Sequence, residues 1–144
     1  MDPSQLVEIE QIKQLKARYF RLLDTKQWDA WGDVFTEDCR MQVELGRGDA
    51  DAKWQGRKDI VESVQKTLAD SRTVHHGHMP EIELTGPTTA RAIWAMYDYV
   101  TWGRDDDLKA YGHYHETYEK EADDRWRIKT LHLKRLRVDS RGDW

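Results

Sequence analysis

The sequence predicts an α+β fold in which a curved sheet packs on helices at one face. Two observations indicate this class. Apolar residues recur at helical spacing through most of the first half of the 144-residue chain, whereas from Thr73 onward they alternate in long runs. One strand-like segment lies among the helices. Helices first and an antiparallel meander afterwards are typical of the α+β class.

Three helices are predicted in the first half. From Pro3 to about Leu23 apolar residues follow three-four spacing, and charged residues, including Lys16, are assigned to the opposite, polar side. Asp2 and Pro3 predict the N-cap and the first helical residue. "WDAWGDVF" predicts a second, short helix and "GRKDIVESVQKTLADS" a third. Between these two, "TEDCRMQVEL" predicts the first strand and "RGDADAK" a polar loop.

The second half predicts three or four long antiparallel strands. Turn motifs divide it at "TGPT" (residues 85–88), "GRDDD" (103–107) and "EADD" (121–124). No repeat, low-complexity tract or linker interrupts the chain, and its length lies in the usual range for one domain. We therefore expect residues 1–144 to form a single domain.

Composition limits the classes of partner. The 23 basic and 27 acidic residues leave a net charge of -4, which argues against nucleic acid or an anionic membrane as the main partner. No apolar run approaches the roughly 20 residues of a membrane span, and the first residues lack the apolar core of a secretion signal. Cys39 is the only cysteine, so an intramolecular disulfide is impossible. We expect a soluble protein of the reducing cytoplasm.

The aromatic residues are mostly tryptophan and tyrosine, with seven Trp and six Tyr against two Phe. Each indole or phenol carries a polar atom that needs a partner when it is buried. Two interpretations fit this composition equally well. One is an aromatic-lined cavity with polar tips, and the other is a set of amphipathic side chains on a sheet or at a subunit interface.

The stretch "TVHHGHMPEI" places three histidines close together. On a strand, side chains alternate between faces, so His76 and His78 project together while His75 faces the other side. With His113 and His115 of "YGHYHETYE", His76 and His78 are a candidate metal site, provided that both pairs meet in register on neighbouring strands. His75 is a candidate general base, provided that a carboxylate orients its ring.

Two carboxylates and one arginine are candidates for the same site. Asp24 ends the first helix at its negative pole, where a carboxylate is locally unfavourable, and its alternative role is to cap the next helix. Asp98 shares a strand face with Trp94 and Met96, so it is either paired or functional, or it reaches water at a sheet edge. Arg135 alternates with leucines on the last strand, and it either binds an anionic oxygen or extends to solvent.

Three blocks, "IEQIKQLKARYFRLLDTKQWDAW", "HHGHMPEIEL" and "YHETYEKEADDRWRIKTLHLKRLRV", resemble the SnoaL-like branch of the nuclear transport factor 2-like superfamily. Within this branch the likeness is greatest to bile-acid 7α-dehydratase, with scytalone dehydratase and hexachlorocyclohexane dehydrochlorinase as more distant relatives. The resemblance runs over nearly the whole chain. It implies a cone-shaped α+β barrel, in which a strongly curved mixed sheet wraps around helices and leaves a deep pocket.

The resemblance also implies site residues and an activity. It assigns Tyr19, Asp24 and His75 as catalytic residues, and Asp98 and Arg135 as substrate-binding residues. In these relatives the His takes a proton from carbon while the Asp holds its tautomer, and no metal or organic cofactor takes part. We therefore expect a cofactor-independent dehydratase, a carbon-oxygen lyase, acting on a small hydrophobic hydroxylated substrate of steroid-like, polycyclic or hydroxyacyl type. The alternatives are an isomerase or polyketide cyclase with the same dyad, or a non-catalytic binding domain.

One position departs from the family pattern. The dehydratases carry a Tyr on their first strand that polarises the substrate carbonyl, whereas "CRMQVELG" contains none. A tyrosine from elsewhere is expected to substitute, and the candidates are Tyr19, Tyr97, Tyr99, Tyr111 and Tyr114.

Relatives assemble through the open sheet face, so the resemblance implies a homo-oligomer, either a trimer or a dimer.

Overall fold

A computed structural model describes residues 1–46 and 48–142. These residues form three helices and six strands, which confirms the predicted α+β class. None of the helices in this part of the chain is both long enough and apolar enough to cross a membrane. In chain order the elements are α1 (Pro3–Asp24), α2 (Trp28–Gly32), β1 (Phe35–Val43), β2 (Ala52–Gln55), α3 (Arg57–Leu68), β3 (Arg72–Gly86), β4 (Thr89–Trp102), β5 (Asp106–Lys120) and β6 (Trp126–Arg141).

The six strands form one mixed sheet in the order β2-β1-β6-β5-β4-β3. Strands β3 to β6 are the predicted meander, with neighbours antiparallel. They are joined at the three predicted turn motifs. Strand β1 runs parallel to β6, and β2 pairs antiparallel with β1 at the edge. The early strand therefore joins the far end of the meander, and this long-range pairing makes the sheet mixed.

Two local predictions are corrected by this arrangement. The second helix ends at Gly32, and Phe35 already begins β1, so the predicted helix was too long. The predicted polar loop "RGDADAK" was partly wrong, because Ala52 and Lys53 begin strand β2 and pair with β1. Its first residue, Arg47, lies outside the described residues. These polar residues form a strand because they pair with β1 at the sheet edge, which their own sequence did not indicate.

Helix α1 begins as predicted and buries more than predicted. Asp2 accepts a hydrogen bond from the Ser4 amide at 2.9 Å, and the Gln5 side chain accepts one from the Asp2 amide at 3.0 Å, which forms a capping box. The assignment of Lys16 to the polar side was wrong, because Lys16 is 0% exposed. Lys16 lies on the buried face of α1 because helical spacing places it beside the other buried residues, and Glu116 of β5 neutralises the charge of Lys16.

The core lies between α1 and the inner face of the meander. Alternate residues of β4 and β5 point inward, so one face of each strand is buried while the other is more open. Gly77 allows α1 to approach β3 closely, since a Cβ atom at Gly77 would lie 2.6 Å from the Phe20 ring. Buried core side chains include Ile12, Leu15, Leu23, Phe35, Trp94, Met96, Ile128 and Leu131.

Candidate active site

A cavity of about 620 Å³ opens between the helices and the inner face of the sheet. Most of its wall is apolar, and three tryptophans contribute to it, which confirms the aromatic-cavity interpretation for these three side chains. Four of the five predicted site residues line this one cavity, and the fifth, Asp24, contacts His75. The three tryptophans are Trp31, Trp54 and Trp102, and the four lining site residues are Tyr19, His75, Asp98 and Arg135.

Asp24 and His75 form a hydrogen-bonded pair. The Nδ1 atom of His75 lies 2.6 Å from Oδ1 of Asp24, and the backbone amide of His75 donates to Oδ2 at 2.9 Å. Thr73 donates its hydroxyl to Oδ1 at 2.9 Å. Because an ionised carboxylate only accepts hydrogen bonds, Nδ1 carries the proton and Nε2 is the nitrogen available toward the cavity. The capping alternative for Asp24 was wrong, since α2 has no side-chain cap at Gln27.

The packing of α1 against β3 brings this pair together. Asp24 is the last residue of α1, and His75 faces inward near the start of β3. The close approach of the two elements at Gly77 brings the helix end within reach of the strand. His76 and His78 face outward and are exposed, as strand alternation predicts.

Asp98 lies beside His75. The two residues are direct partners in the register of β3 and β4, and Asp98 is 2% exposed. Its Oδ1 atom has no hydrogen-bond partner within the described part of the chain. Burial raises the pKa of Asp98, although His75 and Arg135 oppose the shift. The alternative that Asp98 reaches water near a sheet edge was wrong: β4 is next to the edge strand β3, but the Asp98 side chain is buried.

The pKa of His75 reflects the same neighbours. Burial by itself lowers it, but the charges of Asp98 and Asp24 and the hydrogen bond to Asp24 outweigh burial, so that the pKa is raised from its ordinary value. A buried imidazole with two neighbouring carboxyl groups can take up a proton and keep the resulting cation paired.

Arg135 reaches the cavity from β6. Its backbone amide donates to Glu44 at 3.0 Å and its Nη1 to the Leu45 carbonyl at 3.1 Å. The Nε atom is buried without a partner among residues 1–46 and 48–142. Extension into solvent, the alternative for this residue, was wrong because the side chain lines the cavity. The guanidinium group as a whole is a candidate donor for an anionic oxygen of a bound molecule.

Two tyrosines are available to replace the missing first-strand tyrosine. Tyr19 and Tyr114 line the cavity and are almost fully buried. Burial, with the nearby carboxylates, raises the pKa of both phenols well above the ordinary value, so both are protonated at neutral pH. The two hydroxyls are hydrogen-bonded to each other, which leaves one proton to donate to a bound oxygen. The other three candidates lie on the opposite face of the sheet, where the rings of Tyr97 and Tyr111 are 5.3 Å apart and Tyr99 lies near Lys109.

The four-histidine metal site fails because its two histidine pairs do not lie on neighbouring strands. His78 of β3 and His113 of β5 both pair with Ala95, which lies on the intervening strand β4. The two histidine pairs are therefore separated by two strand spacings, roughly 10 Å. Among the described residues, no three His, Cys, Asp or Glu side chains form a group able to hold a metal ion.

Three residues in or near the site were missed from the sequence. Thr73 shares the inward face of β3 with His75, and this two-residue spacing was the available signal. Lys16 continues the apolar stripe of α1, which the helical spacing could have shown. Its partner Glu116 is one hundred residues away along the chain, and no local signal links the two.

A curved α+β fold that encloses an aromatic cavity, with an oriented histidine in the wall, defines a class of small-molecule site suited to acid-base chemistry. Residues 4–132 match the SnoaL-like domain family. The chain therefore belongs to this family, and it has the nuclear transport factor 2-like fold.

The relatives and structural neighbours of this chain are named for different activities. "Probable cyclase FGR4" of Gibberella zeae is 28% identical over 134 residues, which cover 87% of this chain and 89% of that protein. A scytalone dehydratase-like structure from Novosphingobium aromaticivorans superposes with a TM-score of 0.84 at 21% identity, covering 100% of this chain and 94% of that one. The type 3 hexachlorocyclohexane dehydrochlorinase of Novosphingobium barchaimii gives 0.80 at 15% identity, covering 97% and 94%. The greater likeness to bile-acid 7α-dehydratase stays a prediction.

Proposed function

We propose that this protein is a cofactor-independent dehydratase. Its substrate is a small hydrophobic hydroxylated molecule, steroid-like, polycyclic or hydroxyacyl, in which the hydroxyl lies β, or vinylogously, to a ketone or thioester. The observation that carries the proposal is the hydrogen bond between Nδ1 of His75 and Asp24 at the wall of an aromatic cavity. A base oriented in this way, facing a largely apolar space, is suited to proton abstraction from carbon.

In the proposed reaction His75 takes the proton through Nε2. The C–H electron pair moves into an enolate, and Asp24 stabilises the imidazolium through Nδ1–H. Donors near the developing oxyanion lower the barrier, because they are already oriented in a site with little water. The hydrogen-bonded hydroxyls of Tyr19 and Tyr114 leave one proton for this role, and the Arg135 guanidinium lies in the same lining.

Asp98 is the proposed acid for the leaving group. Burial raises the pKa of Asp98, which is the direction that an acid requires; in the proposed step its carboxyl donates a proton to the departing hydroxyl, as the C–O bond breaks and water forms. His75 then returns the abstracted proton to Asp98, since the two residues are direct partners across β3 and β4. The cycle consumes no oxidant or reductant and leaves both groups in their starting states.

A cyclase is the second candidate, and the cyclase-named relative from Gibberella zeae favours it. Cyclisation or isomerisation would use the same proton abstraction and the same oxyanion donors. The mass of the product separates the reactions, because dehydration removes one water molecule whereas isomerisation leaves the mass unchanged.

The assembly and location are also proposals. We propose a homo-oligomer, a trimer or dimer, joined through the open sheet face that carries Tyr97 and Tyr111. Sedimentation velocity tests it, and a purely monomeric species at micromolar concentration would contradict it. A cytoplasmic location rests on the single cysteine, and fractionation of cells tests that prediction.

The decisive experiment is a turnover screen with three variants. Hydroxy-steroids, hydroxyacyl thioesters and aromatic polyketides are incubated with the protein, and conjugated products are followed by ultraviolet absorbance and mass. We expect His75→Ala and Asp24→Asn to abolish turnover, while His76→Ala, on the exposed face of the same strand, retains it. Near-normal turnover by the first two variants on a confirmed substrate would show that the pair is not the catalytic unit.

A further inference from the structure

Next to the cavity phenols lies a buried ion pair that the proposed mechanism does not use. Lys16 of α1 and Glu116 of β5 are inaccessible to solvent, and Nζ lies 2.6 Å from Oε2. The other carboxylate oxygen accepts a hydrogen bond from Tyr118 at 2.6 Å, and the Tyr118 hydroxyl accepts one from Trp94 at 2.9 Å. Both carboxylate oxygens are therefore engaged, and the ammonium is held in one place.

The ammonium lies against the faces of two aromatic rings. Nζ of Lys16 is 3.7 Å from the ring centroid of Tyr19 and 3.6 Å from that of Tyr114. Both phenols line the cavity, whereas Lys16 itself does not. A desolvated cation on a ring face is attracted by the ring and favours negative charge that develops on the ring or on an oxygen hydrogen-bonded to it.

Stability alone is a weak explanation for this pair. Replacing a buried ion pair by apolar side chains is often neutral or stabilising, because two charges lose their hydration on burial. Burial lowers the pKa of Lys16, and Glu116 opposes that shift. The pair thus keeps a costly cation in contact with both cavity tyrosines, which points to a role in the site.

We propose that Lys16 is a positioning residue: held by Glu116, its ammonium fixes the rings of Tyr19 and Tyr114, so that their hydrogen-bonded hydroxyls present a proton to a negatively polarised oxygen in the cavity. This inference deepens the proposed function, since the enolate oxygen is such an acceptor. It concerns the two phenols themselves, so it does not depend on whether elimination follows.

An enolate analogue tests the proposal without turnover. The probe is 6-cyano-2-naphthol, whose ionised form presents an aromatic oxyanion and is followed by its absorbance and fluorescence. The test variant is Lys16→Met combined with Glu116→Gln, which removes both charges together. The matched control is Glu8→Gln combined with Lys120→Met, because this second pair also joins α1 to β5, with an Nζ to Oε1 distance of 2.8 Å.

We expect the test variant to bind the naphtholate about tenfold more weakly, as the loss of a desolvated cation on a ring face predicts, and the control to stay within about twofold of wild type. The fraction of bound probe that is ionised should also fall in the test variant. Equal affinities for wild type and test variant, or equal losses in test and control, would overturn the assignment.

A second variant and a second measurement guard against a folding defect. Lys16→Gln combined with Glu116→Gln keeps an amide hydrogen bond while removing the ammonium, and it should show the same loss. In protein labelled with ¹³C at tyrosine Cζ, the resonances of Tyr19 and Tyr114, assigned with Phe variants, should shift in both double variants. Unchanged resonances would contradict the role of Lys16, and either result leaves the elimination proposal to its own test.

Discussion

Replacing Asp24 with Asn keeps the shape of the side chain but changes what it offers to His75. The carboxylate accepts three hydrogen bonds, from the Thr73 hydroxyl and from the His75 amide and Nδ1. An amide has one accepting oxygen and one donating nitrogen. If the nitrogen faces the imidazole, the neutral ring must carry its proton on Nε2. If the nitrogen instead faces the backbone amide of His75, two N–H donors point at each other.

The size of the effect follows from these two arrangements. With the proton on Nε2 the imidazole is no base toward the cavity, and general-base catalysis of about 10²- to 10⁴-fold is lost. The alternative arrangement removes a hydrogen bond to a charged group, which costs about 1.5–3 kcal/mol of unfolding free energy when buried. The Asp24 side chain is 22% exposed, so we expect about 1.5–2 kcal/mol, the lower part of that range.

The pH dependence has a definite sign. Burial lowers the pKa of His75, but Asp98 and Asp24 raise it by a larger amount, so the pKa of His75 lies above the ordinary value of 6.5. Because the reaction needs neutral His75, kcat/KM should rise with pH through a pKa above that value, and the limb should move to lower pH in Asp24→Asn. The stabilisation of protonated His75 is fully present below about pH 6.5 and is lost as pH rises through the raised pKa. The stability difference between the two proteins is therefore larger at acidic than at alkaline pH.

Two measurements check this reasoning. Turnover as a function of pH gives the position of the acidic limb, and ¹⁵N spectra of the imidazole give the tautomer and pKa of His75 without any substrate. His76→Ala serves as the control, because His76 is exposed on the other face. If Asp24→Asn retains Nδ1 protonation, an unshifted pKa and wild-type turnover, the assignment of Asp24 as the orienting group is refuted.

Two further substitutions test the surroundings of the pair. Asp98→Asn removes a buried carboxyl whose Oδ1 has no partner within the described residues. We therefore expect urea denaturation to show a gain of about 1 kcal/mol in unfolding free energy, while kcat falls. A less stable variant with full turnover would contradict both roles. Gly77→Ala places a methyl group 2.6 Å from the Phe20 ring, and we expect a loss of about 1–3 kcal/mol together with a weakened hydrogen bond between Asp24 and His75. Thermal unfolding and the imidazole spectra measure these two effects, and an unchanged variant would show that α1 can move away from β3 at no cost.

Local periodicity was sufficient for most of the fold. The stripe of α1, the three turn motifs and the alternation of β3 to β6 are short-range patterns, so each could be predicted from neighbours along the chain. Strand β2 could not, because Ala52 to Gln55 acquire their structure by pairing with β1. Polar residues at a sheet edge resemble a loop when only their own sequence is considered.

The sequence by itself determined which residue types were available to the site and which way several of them face. Strand alternation separated His75 from His76 and His78, and it put Asp98 and Arg135 on apolar faces. Only the tertiary structure decided which groups meet. Asp24 contacts His75 from 51 positions away, and Lys16 contacts Glu116 from 100. Such contacts depend on how α1 packs against the sheet, and the hydrophobic effect that drives this packing is non-directional, so the partners of a buried charge are set by the assembled fold.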